Sequence, residues 1–150
     1  MPQSLSRVLV HLLFTTKDRA PLLKAEVRAE LHPYLTTILR DNNCPPLNVV
    51  GPEDHVHLFF GLSRTRSIAE VVEAVKTSSS KWLKSKGPDL AAFRWQGGYG
   101  AFSVSESGAQ AVVKYIYNRV EHHKKQSFQD EFRLLLERYK VEYDERYVWD

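Results

Sequence analysis

In Leu47-Asn48-Val49-Val50-Gly51-Pro52-Glu53-Asp54-His55-Val56-His57-Leu58-Phe59-Phe60-Gly61-Leu62, two short apolar runs flank a Gly-Pro-Glu-Asp turn. Both runs are too short for helices and rich in β-branched or aromatic residues. A connection holding Gly and Pro lets them lie antiparallel, so residues 47–50 and 56–62 read as a hairpin. A helical pattern stands on either side. Upstream, over residues 22–41, Leu23, Val27, Leu31, Leu35, Ile38 and Leu39 recur at helical spacing until Cys44-Pro45-Pro46. Pro33 lies inside that pattern, where a ring without an N–H should kink or break the helix. Downstream, Ser67 with Glu70 three residues later forms a capping box, Ile68, Val71, Val72, Val75 and Trp82 supply a buried stripe, and Gly87-Pro88 stops it.

Further out, Ser6 to Thr16 is rich in Val, Leu and Phe and closes at Lys17-Asp18-Arg19 before Pro21, a first strand. Phe93 to Val104 reads as a strand bent or bulged at Gly97-Gly98. A helix then opens at Ser105 or Ser107 and runs to about His123, with Ala109, Val112, Val113, Ile116 and Val120 on one face. A last amphipathic helix follows, with Ser127 and Asp130 as candidate caps. The tail 141–150 is too apolar at Tyr143, Tyr147, Val148 and Trp149 for a free linker, so it should pack on this subunit or a neighbour. The order β-α-β-β-α-β-α predicts an α+β fold, a ferredoxin-like or RRM-like split βαβ unit with an antiparallel sheet and helices mainly on one face. RNA-binding modules, metal chaperones and DNA-nicking enzymes all use it, so function must be read from the site.

With 150 residues, residues 1–150 are expected to form a single domain with a core of its own. No apolar run is of membrane-spanning length, and Met1-Pro2-Gln3-Ser4 does not resemble a secretory signal, so a cytoplasmic protein with no membrane partner is expected. The single cysteine, Cys44, excludes a disulfide framework. Net charge is only +3, but Lys76, Lys81, Lys84, Lys86 and Arg94 fall in one stretch and Lys114, Arg119, Lys124 and Lys125 in another. Such spacing suits a phosphate backbone, although a solvated helix face gives the same pattern and charge alone favours that plainer reading.

His55 and His57 stand two apart on a strand, so both imidazoles point to one face and can share a metal ion while open positions remain for a phosphate oxygen. On the helix ending near residue 122, the apolar residues cluster while Tyr115, Asn118, Arg119 and His122 form an adjoining polar stripe, with Tyr117 on the opposite flank. Either tyrosine alone is most simply a packing residue with a solvated hydroxyl.

Together with Val10-His11-Leu12-Leu13-Phe14, Ser79-Ser80-Lys81-Trp82, the run from Trp95 to Val104, Tyr115-Ile116, His122-His123, Ser127-Phe128-Gln129, Glu142-Tyr143-Asp144 and Tyr147, these motifs make the chain resemble the IS200/IS605-type single-tyrosine HUH transposases and their REP-associated relatives. The resemblance implies that His55 and His57 ligate Mg²⁺ or Mn²⁺. It further implies that Tyr115 attacks DNA to leave a 5′-phosphotyrosine, and that a hairpin in single-stranded DNA is recognised. It also implies a homodimer whose tyrosine helix usually completes the partner's metal site, and it names no cofactor besides the metal. Because one phosphodiester is exchanged for another, a 3′-hydroxyl can rejoin the strand without ATP, consistent with the lack of a P-loop.

One position departs from the family, whose third ligand is a glutamine four residues after the tyrosine. Here that position holds Arg119, a permanently charged donor that cannot ligate a metal. At 4 Å from a divalent ion and an effective dielectric near 20 the repulsion would be roughly 8 kcal/mol. Two outcomes follow. Arg119 swings aside onto a DNA phosphate while Asn118, His122 or water completes the coordination, or metal binding weakens and the chain is an impaired or repurposed hairpin-binding protein. Reduced but not absent activity is the expectation.

Overall fold

The computed structural model describes residues 2–122 and 127–150, except for the side chains of 119–122. It is an α+β fold built on four antiparallel strands, β1 (Leu9–Thr15), β2 (Pro46–Val50), β3 (His55–Gly61) and β4 (Gly100–Val104), in the order β2-β3-β1-β4. The quoted hairpin forms as β2 and β3. Its turn requires Gly51, since a Cβ there would collide with the His55 carbonyl and Val56 Cα. The central strands β1 and β3 are buried along their whole length. Such strands need apolar residues on both faces, which is why residues 6–16 alternate imperfectly.

Even-numbered residues of the central strands, Val10, Leu12, Phe14, Val56, Leu58 and Phe60, face the main core with α1 (Ala25–Asp41) and α2 (Ile68–Lys84). α2 begins at the capping box, with the Ser67 side chain on the Glu70 amide and the Glu70 carboxylate on the Ser67 amide. α1 runs unbroken through Pro33, contrary to the expected break. Leu31 and Leu35 on either side of the ring are fully buried in one stripe with Ile38 and Leu39, and that burial offsets the lost backbone bond.

Odd-numbered residues face α3 (Ala109–His122) and α4 (Phe128–Arg138). Ile116 packs on Leu9 and Phe59, while Phe128, Phe132, Leu135 and Leu136 pack on Leu13 and Phe102. α4 approaches the sheet closely at Gly100, where a Cβ would run into the Phe132 ring. The tail packs on this same chain, with Tyr143, Val148 and Trp149 against the α4 cluster. β4 starts later than the sequence suggests, because Trp95 makes only an isolated bridge to Thr16. At that point the Gln96 side chain replaces a ladder contact, its Oε1 accepting the Thr15 amide at 2.7 Å. No helix of the described residues is long and apolar enough to cross a membrane.

Candidate functional site

On the α4 face of the sheet three histidines interrupt an otherwise apolar surface. His55 and His57 point the same way from β3, as the two-residue period requires, and both are buried. His11 comes from β1, where it lies opposite Phe59 and diagonal to His57. Its Nε2 is 2.9 Å from His57 Nδ1, and burial pushes its pKa down to about 4, so it is neutral. One ring must donate and the other accept. Only the arrangement in which His57 Nδ1–H donates to His11 Nε2 leaves the His57 Nε2 lone pair for a cation. His55 is oriented likewise, its Nδ1 2.7 Å from Asp54 Oδ1, which reserves Nε2 for the site. A ligating imidazole held through its second nitrogen by a carboxylate or another acceptor is the usual support of a metal site.

The third group is Glu131. Its carboxylate, His55 and His57 offer ligand atoms that all lie within 4.8 Å of one another, forming a candidate metal site of two imidazoles and one carboxylate. Glu131 Oε1 is 3.6 Å from His57 Nε2 and accepts a hydrogen bond from the Tyr115 hydroxyl at 3.3 Å. A carboxylate only 4% exposed is costly unless it meets donors or a cation; the Tyr115 hydroxyl supplies a donor, and a bound divalent ion would supply the charge. Phe128 closes the floor of the site with its ring 4.8 Å from that of His55. The donor set suits a divalent ion, with positions left open for an exogenous oxygen.

The structure therefore brings together His55, His57 and, through Glu131, Tyr115 of the same chain. Asn118 is exposed on α3 and Tyr117 lies on the surface, while the side chains of Arg119 and His122 fall outside the described residues. Glu131 was not singled out from the sequence, yet a signal was present. In α4 the buried stripe is Phe128, Glu131, Phe132 and Leu135, a charged residue at a core position of the helical period.

Residues 4–119 match the family described as "Transposase IS200 like". The chain belongs to the IS200-like transposases. The ISDra2 transposase TnpA of Deinococcus radiodurans is 29% identical over 111 residues, covering 71% of this chain and 79% of the relative. A solved structure of a protein from Deinococcus radiodurans R1 described as a transposase superposes with a TM-score of 0.62 at 27% identity, over 79% of this chain and 98% of that one. A REP-associated tyrosine transposase bound to a REP hairpin shares the fold, with a TM-score of 0.60 at 16% identity over 81% of this chain and 73% of that one. In this IS200-like transposase the carboxylate of the candidate metal site, Glu131, lies beyond the segment that carries the family match.

Proposed function

We propose that this transposase binds hairpins in single-stranded DNA, cleaves with Tyr115 as nucleophile through a 5′-phosphotyrosine intermediate, and rejoins the strand. The observation that carries this reading is the Tyr115 hydroxyl's hydrogen bond to Glu131, itself clustered with His55 and His57. His55, His57 and Glu131 would hold Mg²⁺ or Mn²⁺, and the two nitrogen donors favour Mn²⁺. When bound, the ion would polarise the scissile phosphate and stabilise the charge that develops there.

This chain's residues do the rest. α3 holds the phenol at the edge of the core, and Glu131 draws the hydroxyl proton toward its carboxylate oxygen, which orients an oxygen lone pair for attack. A phenol with an ordinary pKa near 10 is a poor nucleophile at neutral pH, so this orientation matters. Attack forms the Tyr115 oxygen–phosphorus bond and releases the 3′-hydroxyl; the reverse step, with another strand's 3′-hydroxyl, restores DNA and the phenol. Since Glu131 offers an oxygen in the role that glutamine takes in relatives, Arg119 at the usual ligand position gives less reason to expect reduced activity.

The reading treats residues 1–150 as one catalytic unit acting as a homodimer in the cytoplasm. The apolar groove between edge strand β2 and α3, about 620 Å³ and lined by Leu47, Val50, Val113 and Tyr117, supports self-association. The test is covalent adduct formation with Mn²⁺ on a pool of hairpin-bearing single strands with randomised flanks. Wild type and Tyr117→Phe form an adduct that survives denaturation, and Tyr115→Phe forms none. Binding without any adduct would leave a hairpin-binding protein of the same fold as the better description.

A further inference from the structure

A second place in the molecule has the chemistry of an anion site. Between α2 and the segment leading into β4 lies a cleft of about 430 Å³, walled by Lys76, Lys81 and Lys84 from one side and Arg94 from the other, with the Thr77 and Ser80 hydroxyls between them. Among the described residues no carboxylate lines it. Several surface cations elsewhere are matched, Arg7 with Glu106, Lys86 with Glu30, Arg133 with Glu145 and Arg146 with Asp144, while others such as Lys114 and Lys140 stand singly among the described residues rather than facing further cations across a cleft. Among the described residues Lys81, Lys84 and Arg94 make no ion pair, and all three are exposed. Like charges facing one another across a cleft repel, and an uncompensated arrangement of this kind is best relieved by an anion.

The walls are held at a fixed separation. The Lys76 ammonium donates to the Gln96 and Gly98 carbonyls at 2.8 and 2.7 Å, and Trp95 Nε1 donates to Ser79 Oγ at 2.9 Å, so the segment bearing Arg94 is pinned to α2. Along α2, residues 76 to 84 span roughly 12 Å at the helical rise, enough to meet about three phosphates of a strand. The cleft is also tied to the metal cluster. The Lys17 amide donates to the Arg94 carbonyl and the Thr16 amide to the Asp54 carbonyl, each at 2.9 Å, and Asp54 orients His55. A strand leaving the cluster around the end of β1 would meet this cleft on the α2 side of the sheet.

We propose that this cleft binds the phosphodiester backbone of DNA next to the cleaved bond, without reading its bases, as a contact separate from the metal cluster. The proposal rests on the transposase reading for its ligand. It is tested on the full chain by fluorescence anisotropy with labelled oligothymidine in EDTA across a salt series. Three proteins are compared: wild type, the triple variant Lys81→Gln, Lys84→Gln, Arg94→Gln, and a control of equal charge loss, Arg7→Gln, Arg66→Gln, Arg146→Gln. All three substituted residues of the cleft are exposed, so unchanged melting is the check that folding is intact.

The cleft variant should lose at least about thirtyfold in affinity at moderate salt, and its log-affinity against log-salt slope should shrink by roughly 2, as loss of three single-strand phosphate contacts requires. The control should stay within about threefold of wild type. A cleft variant that keeps the wild-type affinity and slope, or that loses no more than the control, overturns the proposal. Running the adduct assay on the same preparations separates the two readings. Cleft-dependent binding with no adduct supports the cleft and sinks the cleavage chemistry, whereas an adduct with cleft-independent binding overturns the cleft alone. Wild type that does not bind oligothymidine overturns the cleft, and the adduct assay on hairpin-bearing strands then decides the cleavage chemistry by itself.

Discussion

Glu131 is the residue on which the site turns, because it adds a carboxylate ligand to the two imidazoles and touches Tyr115 as well. Glu131→Ala should weaken Mn²⁺ binding by at least about tenfold in isothermal titration, and Glu131→Gln, which keeps an amide oxygen, should fall between it and wild type. Equal affinities for all three would remove Glu131 from the ligand set. Two other imidazoles, His11 buried beside His57 and the half-buried His32 on α1, predict an acid dependence. Burial holds His11 at about 4, and burial with the Arg28 charge nearby holds His32 at about 4, against 6.5 for a free imidazole. The unfolded chain therefore binds more protons between pH 6.5 and pH 4, and the metal-free protein should lose stability as pH falls through that window, levelling off below it. For His11 the loss is on the order of 3 kcal/mol. Urea midpoints across the window measure it, and His32→Asn should flatten the curve without touching the cluster. The two imidazoles of β3 were legible from spacing alone. His11 was legible only as part of a family motif, since its partnership with His57 arises from strand register that a single sequence does not state.

At the scale of elements, the hairpin and the capping box of α2 follow from local chemistry and are legible in the sequence, as is Ser127 as one of two candidate caps of α4. The elements that local chemistry misjudged are those settled by packing. α1 continues through Pro33 because its buried stripe does, and β4 begins only at Gly100 because Gln96 and Trp95 spend their polar groups on Thr15 and Ser79. α4 is the decisive case. Its amphipathic pattern announced a helix but not which surface it covers, so the route by which Glu131 reaches His57 was invisible. That route passes over Gly100. Gly100→Ala should force the Phe132 ring away, cost about 1–3 kcal/mol as overpacked cores do, and weaken Mn²⁺ binding at a site it does not touch. Thermal melting with a parallel metal titration checks this, and a variant with unaltered melting and affinity would show that α4 does not need so close an approach.

Taken as a whole molecule, the sheet separates two tasks. The α1–α2 face holds the larger core, and the α3–α4 face carries the histidines and the carboxylate. The edge strand β2 and the surface of α3 leave Leu47 and Tyr117 exposed beside an apolar groove, so the protein should run as a dimer in light scattering, and Leu47→Glu with Tyr117→Glu should run as a monomer. A wild-type monomer would contradict the assembly but not the chemistry, since the Tyr115 hydroxyl already lies beside Glu131 of its own chain. The chemistry itself is most directly measured by digesting the Mn²⁺-dependent protein–DNA adduct and sequencing the modified peptide by mass spectrometry. The predicted result is a nucleotide linked through its 5′-phosphate to Tyr115. Attachment at Tyr117 or any other residue, or a cleaved strand with no attached peptide, would contradict it.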